Sequence, residues 1–227
     1  MVLLDDNFAT ITNSVEEWRK LYDNLKKGVR YYLAVKLALI VIFLLPALFN
    51  VPLPFAPIQI ILLELFMDLA ASATFVIEPP ESDVMKRKPR DPQARFLDAK
   101  MQSFIYLGAL SLIAAVLSIY FLNVNLGQVR AQTMAFTAWM ICHIFLALNM
   151  RTERDPLYDA KLTSNKMMLL WAAGVVATIF TIIYVPTLQD LFGVAPIGFM
   201  DWIIILGVSL VATFWIEVVK LISKKRM

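Results

Sequence analysis

The chain has a single cysteine, Cys142, so no internal disulfide can form. It has a single histidine, His143, which excludes a metal centre built from several imidazoles. No glycine-rich phosphate loop, Gly-x-Ser-x-Gly elbow or His-Glu-x-x-His pair occurs among its 227 residues. The longest polar stretch between apolar runs, 78–100, is too short to fold into a catalytic domain. Charged residues make up only 17%, and the net charge of +3 gives no basis for expecting a nucleic-acid partner. A secretory leader is not expected either. Asp5, Asp6 and Asn7 follow the first apolar residues with no basic stretch ahead of them, so insertion should use the spans themselves.

What the chain does have is hydrophobicity. Apolar residues are 59% of it and mean hydropathy is +0.68, against about 45–50% apolar in soluble domains. That is the composition of an integral membrane protein. Runs near the roughly 20 residues that cross a bilayer recur six times, at 31–51, 57–77, 101–123, 131–149, 167–188 and 200–222. Short connections at 50–54 and 123–128 make hairpins of the first two runs and of the next two. Pro46 predicts a kink in the first.

Nineteen of the 21 basic residues fall in 1–30, 78–100, 150–166 and 220–227. These four segments lie on one side of a six-span topology. Positive residues mark the cytoplasmic side, so both termini are expected to be cytosolic. The expected fold is an all-α integral membrane, six-span helical bundle over 31–222, with a basic tail at 223–227. Ahead of it, Val15, Trp18, Leu21, Tyr22, Leu25 and Val29 share a face at helical spacing. This predicts an amphipathic stalk running into the first span.

The second run carries Glu64 and Asp68 in its middle. Four residues apart, they lie on one helix face. A charge at mid-bilayer costs at least about 2.5 kcal/mol, so such residues usually face a protein interior or an ion path. The pair reads as cation-binding oxygens or a proton-carrying pair. The plainer reading is that one of them simply pairs with Lys36. Lys36 in turn is either a counter-charge to them or a side chain snorkelling to the interface. It precedes Pro57 by 21 residues, while Glu64 and Asp68 follow it by seven and eleven. Counted as helical rise, that leaves the lysine two or three turns short of Asp68. His143 reads as a buried hydrogen-bonding residue or as a residue lining the site. Glu217 suits a helix-end salt bridge with Lys220. Trp171, Tyr184 and Trp202 sit near span ends, as interfacial aromatic belts do. Met67, Met140 and Met150 read as packing or lipid-facing residues.

Several stretches together resemble the C-terminal membrane half of P-type cation-transporting ATPases, the family of the calcium pumps and their bacterial and archaeal relatives. Residues 1–30, MVLLDDNFATITNSVEEWRKLYDNLKKGVR, resemble the last strand of the phosphorylation domain and the stalk into transmembrane helix five, with Asp-Asp-Asn-Phe as a marker. EPPESDVMKRKPR at 78–90 resembles the loop after helix six, and LALN at 146–149 the end of helix eight.

The resemblance makes the six spans helices five to ten. It implies that Asp68 matches the helix-six aspartate ligand, while Glu64 and Met67 stand where calcium pumps have asparagine and threonine. Lys36 matches a helix-five asparagine, Leu39 a helix-five glutamate and His143 a helix-eight glutamate. The Gly-Leu-Pro that unwinds helix six is Leu69-Ala70-Ala71 here. Such a site differs from that of a calcium pump. Its built-in positive charge suits a proton pump, or one carrying fewer charges per cycle.

The Asp-Lys-Thr-Gly-Thr and Thr-Gly-Glu motifs do not occur in the chain. The resemblance therefore implies a transport domain that is inactive alone, as a fragment or split half, in the plasma membrane. Its implied partners are the bilayer, the transported cation and the N-terminal half of the pump. ATP and Mg2+ would act only on that other half. The alternative is a stand-alone structural or regulatory membrane protein derived from such a pump.

Overall fold

The structure, a computed structural model, describes residues 8–89, 91, 93–152 and 162–224. Among the described residues there are helices and turns but no strand. Six helices are long and apolar enough to cross a membrane. They are α1 (Phe8–Leu48), α2 (Pro57–Ile77), α3 (Ala99–Asn123), α4 (Gln128–Met150), α5 (Lys166–Tyr184) and, after the short α6 (Pro186–Phe192), α7 (Phe199–Lys224). The chain is a multi-pass integral membrane protein. The strand resemblance at residues 1–7 and most of the charged loop after Arg151 fall outside the described residues. The expected tail from 223 begins inside α7.

Three span ends differ from expectation by three or four residues. The first span stops at Leu48 instead of 51, and the fourth begins at Gln128 instead of 131. The fifth stops at Tyr184 instead of 188. Pro186 disfavours a helical conformation at the residue before it, and Val185 is extended at φ −93°, ψ 115°. The chain restarts as α6 with Pro186 at its first turn and ends it on Gly193 at φ 61°, a left-handed helix cap. The third span ends at Asn123, as expected, in a 3-10 turn over Val124–Leu126, and Gly127 at φ 138° opens α4.

α4 is apolar on all sides and is buried on all sides, as that pattern requires. α3 and α7 pack against it and each other, α1 packs on α3, and α5 closes over α2 and α4. The α1–α3 contact is close because small residues face each other. A Cβ on Gly108 would stand 3.2 Å from Ala34 Cβ and 2.6 Å from Met150 Cε.

The basic segments converge on one end of the bundle. Asn24 donates to the Val76 and Glu78 carbonyls, Arg19 to those of Val84 and Arg87, and Lys27 meets Glu81 at 2.9 Å. Arg151, fully buried, pairs with Glu78 and reaches Ser164. The carbonyls ending α4 receive cations: Arg30 donates to Met150 at 2.9 Å and Lys220 to Asn149. Lys220 also makes the expected pair with Glu217, at 2.7 Å, although both are well covered.

The stalk is amphipathic, as predicted, but its polar face is the one that packs. Asn24, Lys27 and Arg30 are buried, whereas Val15, Trp18, Leu21 and Leu25 are exposed. The loop against it offers carbonyls and carboxylates, which only donors can satisfy.

Asp98 caps α3 by accepting from the Met101 N–H at 2.7 Å and pairs with Lys26 at 2.6 Å. Burial pushes its carboxyl up, but the bonds from Lys26 and Met101 outweigh this and hold it below its usual value. A carboxyl lowered by folding stabilises fully above its unfolded pKa, about 3.9 for aspartate, and loses that as pH falls through the folded value. Asp98→Ala is expected to cost about 1 kcal/mol at pH 7. Thermal melts in detergent should show the gap narrowing below about pH 4.

Candidate functional site

Three helices meet around Asp68. α1 contributes Lys36, α2 contributes Glu64 and Asp68, and α4 contributes His143. The Lys36 ammonium donates to both carboxylates, reaching Asp68 Oδ2 at 2.8 Å and Glu64 Oε2 in a shorter contact. His143 Nε2 lies 3.2 Å from the other oxygen of Asp68. The four residues singled out in the sequence thus form one cluster. Asp68 and His143 are buried, while the Glu64 side chain keeps 40% of its surface exposed. Lys36 also lies 5.0 Å from the Tyr32 ring centroid.

Lys36 does not end short of the carboxylates. The helices, counted from their ends, explain why. α1 ends at Leu48 and α2 begins at Pro57, with non-helical chain between. Lys36 is twelve residues from Leu48 and Asp68 eleven from Pro57, so they lie at one depth. Counting the connection as rise created the apparent gap.

The middle of α2 is a π-helix, Leu63–Leu69, between α-helical Pro57–Leu62 and Ala70–Thr74. The helix is widened and continuous instead of unwound, which suits the Leu69-Ala70-Ala71 that replaces Gly-Leu-Pro. Both carboxylates fall inside the π segment. Single π turns recur at functional sites.

His143 Nδ1 is 2.8 Å from the Trp139 carbonyl oxygen. A carbonyl can only accept, so Nδ1 carries a hydrogen, and the neutral ring then has a bare lone pair on Nε2. A bare nitrogen and a carboxylate oxygen cannot bond to each other. The Nε2–Asp68 approach is a hydrogen bond where one of the two atoms carries a hydrogen.

The wall around it was not legible as a site. Tyr31 stands edge-on to His143 at 6.0 Å, and its buried hydroxyl has no hydrogen-bond partner. Trp139 lies 4.6 Å from the same ring, with its buried indole N–H also unpartnered. One signal was available: Trp139 precedes His143 by four residues and shares its face. Leu39 and Met67 bring no polar group. Among the described residues no three His, Cys, Asp or Glu side chains are grouped as a metal cluster. Trp171 is not a belt residue: it is buried, and its indole donates to the Phe66 carbonyl at 3.1 Å. Trp202 and Tyr184 do keep to the opposite end, the indole donating to the phenol oxygen at 2.8 Å.

Residues 52–222 match the family model described as "Cation transporting ATPase, C-terminus". The chain is 34% identical over 233 residues to a calcium-transporting ATPase of Bacillus subtilis, covering 99% of this chain and 26% of that protein. It is 29% identical over 227 residues to a calcium-transporting ATPase of Listeria monocytogenes, covering 99% and 26%. With the human calcium-transporting ATPase type 2C member 1 it shares 27% over 228 residues, covering 100% and 25%. The chain spans about a quarter of the length of these relatives. It belongs to the cation transporting ATPase C-terminal family, the membrane region of the P-type cation pumps.

Proposed function

We propose that this chain supplies part of the intramembrane ion site of an ATP-driven cation pump, with Glu64 and Asp68 as acceptors and Lys36 and His143 lining the site. The observation that carries this is the Lys36 ammonium bonded to both carboxylates. A lysine held there is a resident cation. An arriving ion must displace it or share the site with it, so the transported charge per cycle is small: a proton, or a cation that moves Lys36 aside.

Two features support a partner that completes the pump. Glu64 is partly exposed at mid-membrane, where an uncovered carboxylate is costly; further helices would cover it. The stalk leaves Phe8, Val15 and Trp18 open outside the spans, an apolar face suited to a docking domain. In this reading ATP and Mg2+ act on the partner portion, α1 transmits its motion to the site, and the basic end faces the cytosol of a cell with the pump in its plasma membrane.

The relatives are named for calcium, which makes calcium the probe. Removing a full charge about 4 Å from a carboxylate changes its interaction with a cation by up to about 4 kcal/mol at an effective dielectric of 20. Calorimetry on the chain in nanodiscs should show Lys36→Asn binding Ca2+ at least about tenfold more tightly than the parent. Equal affinities would contradict the resident-cation reading.

A further inference from the structure

We propose that Trp171 is a positioning residue of the ion site: its indole N–H holds the π-helical segment Leu63–Leu69 that sets Glu64 and Asp68 on Lys36. The proposal rests on the reading of that cluster as the ion site.

The segment Leu-Glu-Leu-Phe-Met-Asp-Leu has no glycine or proline, and leucine, methionine and glutamate are good α-helix formers. Nothing in its own residues asks for π winding, so the distortion must be held from outside. Winding i→i+5 takes carbonyls away from their usual donors. The Ala70 N–H bonds to the Met67 carbonyl, so it does not make the α-helical bond to Phe66. The Phe66 carbonyl instead accepts from Trp171, on the neighbouring helix. An unpaired carbonyl inside a bilayer is costly, so this donor favours the winding that takes the Phe66 carbonyl from the Ala70 N–H.

The same helix clamps α2 a second time. Asn165 Nδ2 donates to the Thr74 carbonyl at 2.9 Å, just where α2 tightens from α into 3-10 winding. Gly174 faces the Phe66 ring, and a Cβ there would meet Phe66 Cζ in ordinary van der Waals contact at 3.7 Å. α2 is therefore held from this side inside its π segment, at Phe66, and again where its α winding gives way to 3-10, at Thr74.

The functional consequence is rotational. One residue turns an α-helix by about 100°. A widened turn changes by part of that the direction in which later residues leave the axis. Glu64 lies at the start of the segment and Asp68 near its end, so relaxation to α winding reorients Asp68 relative to Lys36 and His143 while leaving Glu64 nearly in place.

The test uses the full chain in nanodiscs, 15N-labelled at its one histidine. Trp171→Phe keeps an aromatic ring and removes the donor. Trp202→Phe, whose indole serves Tyr184, is the control. The expected result is loss of the parent His143 Nε2 signal, the one set by its contact with Asp68, in Trp171→Phe only. Amide exchange of 63–71 should slow several-fold there, with exchange elsewhere unchanged. A global loss of stability would instead speed exchange throughout. Should Trp171→Phe fail to fold, 3-benzothienylalanine at position 171 keeps the two-ring shape without the N–H and must give the same loss. An unchanged His143 signal, or exchange accelerated everywhere, overturns the proposal. The ion-site reading fails separately, on equal Ca2+ affinities of Lys36→Asn and the parent, so the two failures are distinguished.

Discussion

Lys36→Ala is expected to destabilise the chain by about 2–4 kcal/mol. Breaking a buried ion pair by removing one partner costs about 3–5 kcal/mol, because the remaining charge stays buried and uncompensated. Lys36 and Glu64 keep 22% and 40% of their side-chain surface exposed, but at mid-membrane that surface meets lipid and does not relieve the charge. Without Lys36, Asp68, 2% exposed, is left uncompensated inside the bundle and Glu64 at its lipid face. Both carboxylates should therefore couple to Lys36 in a double-mutant cycle. Asp68→Asn and Glu64→Gln should each recover part of the loss in the Lys36→Ala background. Unfolding in mixed detergent micelles reads both. No recovery by either substitution would show that Lys36 reaches for the interface and the ion pairs are incidental.

Arg151→Met should cost about as much, around 3–5 kcal/mol, with no part in ion binding. Arg151 is fully covered and joins the end of α4 to Glu78, just past α2, and to Ser164, just before α5. Glu78 is also held by Asn165 at 2.6 Å. Removing the guanidinium leaves that carboxylate buried with one neutral donor. Glu78→Gln in the same chain should restore about half the loss, since a neutral amide needs no counter-charge. Exposed pairs give the contrast: Lys20–Glu17, with a 62% exposed glutamate, should contribute a few tenths of a kcal/mol at most. The same unfolding measurement on Lys20→Met sets that baseline.

The spans were legible because bilayer thickness sets a length that composition alone reveals. Their ends were legible where proline acts locally, as at Pro57. The fifth span was misjudged by four residues only because the restriction Pro186 places on Val185 was not applied. Within the site, residue types were legible and distances were not. Glu64 and Asp68 stood out because charge is costly in lipid. Their meeting with Lys36 depended on where α1 stops, which a continuous apolar run does not show. The π segment has no marker in the residues that form it; its cause is a tryptophan about a hundred positions later. Trp171 was read as interfacial because it lies near the start of a run, and sequence position along a helix does not reveal which side a residue faces. The stalk shows the same limit: spacing identified two faces, but the chemistry of the loop packed against them decided which was buried.

The central claim is that Lys36, Glu64, Asp68 and His143 form one bonded cluster in which Nε2 of His143 meets Asp68. Because the chain has a single histidine, ring-15N labelling reports on that contact without assignment. In nanodiscs, the account predicts that Nδ1 of His143 carries hydrogen and that Asp68→Ala changes the Nε2 signal while leaving Nδ1 as it was. A bare Nδ1 in the unmodified chain, or a spectrum unchanged by Asp68→Ala, would contradict it.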